Sequence, residues 1–463
     1  MSQTNEACTD IGRSNVQELF IVLEDKPGVI AYPTKENFIA VANDATANQS
    51  PEYTDSPEKL GTRDVIDRFK NAMPAAEAAA AMLLRLGVVG AKPQGYDALV
   101  SLFGNSTLET PPVFTLGAAQ ANAVIIPIAS QSELAPLPPC GVIQVGSEQI
   151  YYDSISDDGA NLLGCKRGYN GTTAAAITNG AAGQYKSLAF IQSDCNPSFT
   201  LWLRTDHPVQ AVTGATVNTA SISLSNEGPL TFDFSNIQGM EMILAGTSKV
   251  KTAAAVGSTK VTVENPKSYT AKGWIWNKTV QDNNGGPAKG YKIVSVDDAT
   301  GVITLDSPLA KAWPVDSVVA GFLPQDAAFV GDPVEGADTD VYLDGTKGKL
   351  RSSSLTYNNN IQYFTDEIGT RFPQGYVENA RTIDMQMNTY FRATDGERFK
   401  EGYEGKYVSA RFAFGRGKAV LHMPRVQQSM PAINMEPPVV SLDITGTVLG
   451  SGKGNNAVYL VIN

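Results

Sequence analysis

The stretch most suggestive of chemistry is "GCKRGYNGTT", Gly164 to Thr173. It sets glycines at 164, 168 and 171 beside Lys166 and Arg167 and ends on paired threonines. A phosphate-binding loop uses glycines to bring backbone N–H groups close, then a Lys-Ser/Thr pair after the last glycine. Here Tyr169 and Asn170 precede Gly171 and no lysine follows it. The downstream "TTAAAITNGAAGQY" breaks on Gly180, so no helix N-terminus stands behind the loop to supply free N–H groups and a dipole. The loop therefore reads as a turn between strands. The acid pairs Asp157/Asp158 and Asp297/Asp298 have the composition of a calcium loop, but both fall at tight turns where Asp bonds its own backbone.

Other schemes find fewer parts. Asp206 and His207 have no serine in a nucleophile-elbow context. His207, before Pro208, reads as a strand end, and His422 falls within a strand. The four cysteines, Cys8, Cys140, Cys165 and Cys195, include no CxxC, and two histidines cannot complete a zinc spacing. Free buried thiols are expected, with a Cys140–Cys165 bridge as the alternative. No acid pair stands out as a glycosidase dyad. In "WIW", Trp274 and Trp276 share one face, for core packing or for stacking on a sugar ring. The expectation is a protein without catalysis, cofactor or metal.

The elements around these residues belong to a strand-rich chain. Its 463 residues suit two to four domains, and 18% charged residues with 42 Gly and 26 Pro is a strand-and-turn balance. No apolar run is long enough for a membrane span. "MSQTNEACTDIGRSN" lacks a basic region followed by an apolar one, so folding in a cytoplasm is expected. A net charge of −11 disfavours ordinary nucleic-acid binding and would instead keep DNA from adhering.

Period-two alternation is clear after residue 195. "SFTLWLRT", "NTASISLSN" and "GPLTFDFSN" each set apolar residues on one side. "RTIDMQMNTYF" puts Ile383, Met385 and Met387 on one face and Asp384, Gln386 and Asn388 on the other. "KYVSARFAFGRGKAVLHMPRV" predicts a hairpin through Gly415–Gly417, and "VVSLDITGTVLGSGKGNNAVYLVIN" a second. Two stretches predict helices: "RDVIDRFKNAMPAAEAAAAMLLRL" over 63–86, with Val65, Ile66 and Phe69 on one face, and "GYDALVSLFG", ending on Gly104.

Two segments interrupt this framework and are loose copies of one another. Each opens with an extended run ("NAVIIPI", "TKVTVENP"), then a glycine before an apolar run ("CGVIQVGSE", "KGWIWNKT"). Each continues through a strand and an acidic turn ("YYDSISDDGANLL", "YKIVSVDDATGVITL"). The division expected is 1–114, 193–243 and 325–463 for the framework, with inserted β-modules at 115–192 and 244–324. The fold class expected is mainly β: an antiparallel sandwich or partial barrel with a flanking helix and two small modules.

"KPGVIAYPTKENFIAVAND", "GTRDVIDRFKNAMPAAEAAAAMLLR", "GYDALVSLFG" and "SFTLWLRTDHPVQAVTGATVNTASISLSNEGPLTFDFSNIQGMEMILAG" together resemble the major tail tube proteins of long-tailed bacteriophages, especially of transposable phages. "GVIQVGSEQIYYDSISDDGANLLGCKRGYNGTT" is also similar to a β-module found in phage structural proteins. The resemblance implies a virion protein, assembled in the host cytoplasm, whose homo-hexameric rings stack into a hollow tube that DNA traverses during ejection. It implies a tape measure protein, a tail terminator and a distal tail protein as neighbours, and no membrane. On this reading loops such as Asn43–Asp64 bridge rings and the modules project outward. Outward modules would obstruct a sheath, which favours a non-contractile, siphovirus-type tail. Asp384 is the lumen-facing candidate; an outer solvated face is its alternative. The rival readings are a surface adhesin or carbohydrate-binding β-protein, another tail, sheath or baseplate component, and a hydrolase.

Overall fold

A computed structural model describes residues 17–463 apart from 59–63, 66, 88–89, 157, 227, 287–288, 325–330, 393–395, 436–438 and 451–454. Cys8, Ile66 and Asp157 lie outside the described residues. The chain is mainly β and antiparallel.

The framework is built on one broad sheet. Its strands are β1 (Thr46–Asn48), β2 (Ala76–Leu83), β3 (Val209–Ser225), β4 (Thr231–Gly239), β5 (Ser352–Asn358), β6 (Thr382–Tyr390), β7 (Ala432–Asn434) and β8 (Ser441–Val448). They lie in the order β1-β2-β4-β3-β5-β6-β8-β7. Alternation makes the sheet two-faced. Phe232, Ile222, Leu355, Met385 and Ile444 point inward and are buried, each contributing about 1.5–3 kcal/mol by leaving water. They meet Phe412, Phe414, Leu421 and Met423 of the hairpin Tyr407–Phe414/Ala419–Gln428, the second layer of the sandwich. That hairpin turns through Gly415–Gly417, as its sequence predicts.

The first half of β3 leaves this sheet and pairs instead with Phe199–Thr205 and Glu241–Ala245. Gln17–Leu23 pairs on the far side of Phe199–Thr205. Helix α1 (Tyr96–Phe103) packs against these strands, with every residue but Asp97 buried. Gly104 caps it at φ 107°, where a side chain would be strained. Its last carbonyls are taken up by side chains: Asn196 Nδ2 donates to Ser101 O (2.7 Å) and Leu102 O (3.1 Å), and Asn359 Nδ2 donates to Leu102 O (3.1 Å).

Two predicted elements are corrected. Residues 63–86 form no helix. Arg68–Lys70 is one arm of an exposed hairpin with Tyr53–Asp55, and "AEAAAAML" is strand β2. Alanine favours helix by only a few tenths of a kcal/mol per residue. β2 gains hydrogen-bonded neighbours on both sides, β1 and β4, and buries Ala76, Ala78, Ala80 and Met82. Val65 and Phe69, expected on a helix face, are exposed. The final stretch is not a hairpin either. β8 pairs with β6 and with Val426–Gln428, while Tyr459–Ile462 pairs with Leu188–Gln192 and Ala419–His422. The two strands lie end to end along one side of Ala419–Gln428, which gives both a buried partner.

The two interrupting segments share one pairing scheme. In the first, Phe114–Leu116 pairs with Ile126–Gln131, which pairs with Asn161–Leu163, which pairs with Ser154–Ile155, the continuation of Glu148–Tyr152. Glu148–Tyr152 pairs with Gly141–Val145, then Ala181–Tyr185, then back to Phe114–Leu116. The second segment repeats the circuit as a closed barrel of Thr247–Thr252, Lys260–Val263, Val302–Leu305, Tyr291–Asp297, Trp274–Asn277 and Val318–Gly321. Each is fastened to the framework. Arg411 of the second layer reaches Asp153 at 2.6 Å and Tyr151 Oη at 3.1 Å in the first segment. In the second, Trp274 packs edge-on against Trp202 and against Tyr32.

Candidate functional site

The face of the sheet turned away from the core is almost wholly uncharged and polar. Register places its side chains in three rows across the strands. The first runs Asp233, Ser221, Thr356, Asp384, Thr447. The second runs Thr231, Ser223, Ser354, Gln386, Thr445. The third runs Ser225, Ser352, Asn388, Asp443. Successive rows are about 7 Å apart along the strands and neighbours within a row about 5 Å apart. A concavity of about 950 Å³ lies over the second and third rows.

The rows hold three carboxylates and no lysine or arginine. Asp384 is exposed and accepts from Thr447 Oγ1 at 3.0 Å. Asp443 accepts from Asn388 Nδ2 at 2.6 Å. The cation nearest the rows is Arg351, whose guanidinium lies over the Tyr390 ring at the rim, 5.0 Å from its centroid. Such a face has hydroxyls and amides to hold water and fixed negative charge, but no cation to displace counterions from a phosphate backbone. It can border a polyanion without gripping it. The expected residue, Asp384, thus sits within a patterned surface whose other members no motif marks. The signal in the sequence was the shared polar phase of "NTASISLSN", "SSSLTYN", "RTIDMQMNTYF" and "SLDITGTV".

The glycine loop faces an anion, but an internal one. Glu148 opens the strand Glu148–Tyr152 and is buried. Its carboxylate accepts from Arg167 Nε (2.8 Å) and Nη2 (2.7 Å), and from the backbone N–H groups of Gly168 (3.0 Å) and Ala175 (3.0 Å). Gly168 stands at φ 63°, and a Cβ there would meet Thr172 O at 2.7 Å. The donors that a phosphate would use are spent on Glu148. Burial works to raise its pKa, but the hydrogen bonds and charge of Arg167, with the two N–H groups, outweigh it and hold the carboxyl below its ordinary value.

Asp282 holds the matching place in the second segment, after the third strand of the circuit. It is buried and accepts from Tyr291 Oη (2.9 Å), Trp313 Nε1 (2.8 Å) and Lys311 N (3.1 Å). In both segments, donors from the loop between the fifth and sixth strands converge on one carboxylate. The acidic turns bond themselves: Asp158 Oδ1 accepts from Ala160 N at 3.0 Å, and Asp297 Oδ1 from Ala299 N at 3.0 Å.

The remaining candidates are structural. Trp274 and Trp276 are buried on one side of their strand against Phe322, with centroids 4.6 and 6.0 Å away, so neither offers a face to a sugar. Cys140 and Cys165 are buried free thiols in separate clusters, which removes the bridge between them. His422 lies in the second layer, one strand from Arg411. Among the described residues no three His, Cys, Asp or Glu side chains gather as a metal site.

A family model described as "Phage tail tube protein" matches residues 14–448. No curated protein matches the chain.

Proposed function

Because the chain belongs to the phage tail tube protein family and is thereby a structural component of the tail, we propose that it forms the wall of the conduit itself, with the polar face turned to the lumen. Homo-hexameric rings stack into the tube, and DNA slides past rows of Ser, Thr, Asn and Gln punctuated by Asp233, Asp384 and Asp443. The observation that carries this reading is the absence of Lys and Arg from the three rows on a face of this breadth. β1 and β7 have no second strand neighbour among the described residues, and a lateral copy would cover these edges.

On the same reading the chain has no catalytic role. Residues 115–192 and 244–324 are modules inserted into a framework of 1–114, 193–243 and 325–463, and both stand on the outer wall. That placement suits a tail without a contractile sheath. The tape measure protein would occupy the lumen before DNA, with a terminator and a distal tail protein at the two ends. Assembly would take place in the host cytoplasm.

Negative-stain electron microscopy of the purified chain over a range of concentrations tests the proposal. Six-fold rings or hollow tubes with knobs outside are expected. A globular oligomer without a central hole contradicts it.

A further inference from the structure

The polar strands end in two unlike surfaces. At the end marked by Asn358 and Thr382, two hairpins project: Tyr53–Asp55/Arg68–Lys70 and Ile361–Tyr363/Tyr376–Glu378. They are braced together, since Met73 N donates to Arg371 O at 2.8 Å. They present Tyr53, Phe69, Phe364 and Ile368 to solvent, Ile368 without any cover. At the other end, marked by Ser225, Ser352 and Tyr390, the short helix α2 (Gly396–Glu404) and the chain around β7 present Phe391, Tyr403, Met435 and Val439. Tyr403 is 83% exposed and Met435 77%. Apolar side chains this exposed and grouped at both ends of one sheet call for cover.

The ends also differ in charge. Residues 50–72 and 361–377 carry seven acids to five bases. Residues 346–351, 391–407 and 429–441 carry seven bases to five acids. The nine-residue strand β6 separates the two ends by about 30 Å. Opposite sign and shared apolar character at opposite ends describe a heterologous contact, which repeats without closing and builds a filament.

We infer that the hairpin end of one copy docks on the α2–β7 end of a second copy of this chain, and that this contact joins successive rings along the tube axis. The inference rests on the tube reading and adds to it which surfaces meet. It gives the chain a polarity, hairpins leading and α2 trailing.

The test uses the full chain with Ile368→Asp and Met435→Asp, both at solvent-covered positions, beside the unaltered protein. Each variant is expected to keep rings, and the native near-ultraviolet dichroism, while losing tubes. A second test mixes Ile368→Cys with Met435→Cys under oxidation. A cross-linked pair that neither variant gives alone is expected. Tubes of normal length from both Asp variants, or no cross-link in tubes that do form, would overturn the docking while leaving the conduit standing. Failure of the unaltered protein to form rings or tubes would overturn both.

Discussion

The exposed sheet face and the two inserted segments treat carboxylates in opposite ways. In the segments, Glu148 and Asp282 are buried and surrounded by donors. On the sheet, Asp384 stands in solvent with one threonine hydroxyl, and no cation shares its row. A buried carboxylate must be compensated or the fold fails. An exposed one is free of that demand, so its place need not serve the fold. The acids of the segments therefore hold loops in place, and the acids of the sheet face are available to whatever passes over it.

The sharpest way to break this comparison is Glu148→Ala. Arg167 would be left buried without its partner, and removing one member of a buried pair costs about 3–5 kcal/mol. Thermal or denaturant unfolding should show that loss; a change under 1 kcal/mol would contradict a structural role. Asp282→Asn comes next, because the amide must turn an N–H toward groups that are themselves donors. A cost of about 1–3 kcal/mol is expected by the same measurement. If Asp282→Asn is neutral, the two segments do not share a device.

Acid should weaken the interior before it affects the face. Burial, aided by the charge of Arg411, pushes the His422 imidazole from its ordinary 6.5 down to about 4. The unfolded chain then binds a proton that the native chain refuses, so stability falls as pH drops through that window. Glu148 adds a second loss at lower pH. Its native pKa is depressed, so its contribution is complete above its unfolded value and disappears as pH falls through the native one. Unfolding followed from pH 7 to 3 should show both, and His422→Gln should flatten the upper part. The smallest effect belongs to Asp384→Asn, within about 0.5 kcal/mol of the unaltered protein in unfolding, as for an exposed residue outside any buried network.

How much of this was legible in the sequence follows from which signals are local. The two faces of β6 were plain, because Ile383, Asp384, Met385, Gln386 and Met387 alternate without exception. Helix α1 was also plain, since Leu99, Leu102 and Phe103 fall at helical spacing before Gly104. β2 was misread because a run of alanines has no alternation to show, and its strand state comes from neighbours far along the chain. Tyr459–Ile462 was misplaced for a related reason: its partners are Leu188–Gln192 and Ala419–His422, and only tertiary packing selects them. The glycine loop was recognised as a turn, but Glu148 as its anchor was not. A single acid beside the apolar run "QIYY" was the available clue. The polar rows escaped notice as a set, because each strand shows its own phase and only register joins them.

The most direct test of the central claim is a three-dimensional reconstruction of assembled tubes by cryo-electron microscopy. The account predicts that the rows through Ser221, Ser223, Thr356, Asp384 and Thr445 face the channel, with both inserted segments on the outside. Rows buried between subunits or turned to the exterior, with a channel lined by other residues, would contradict it.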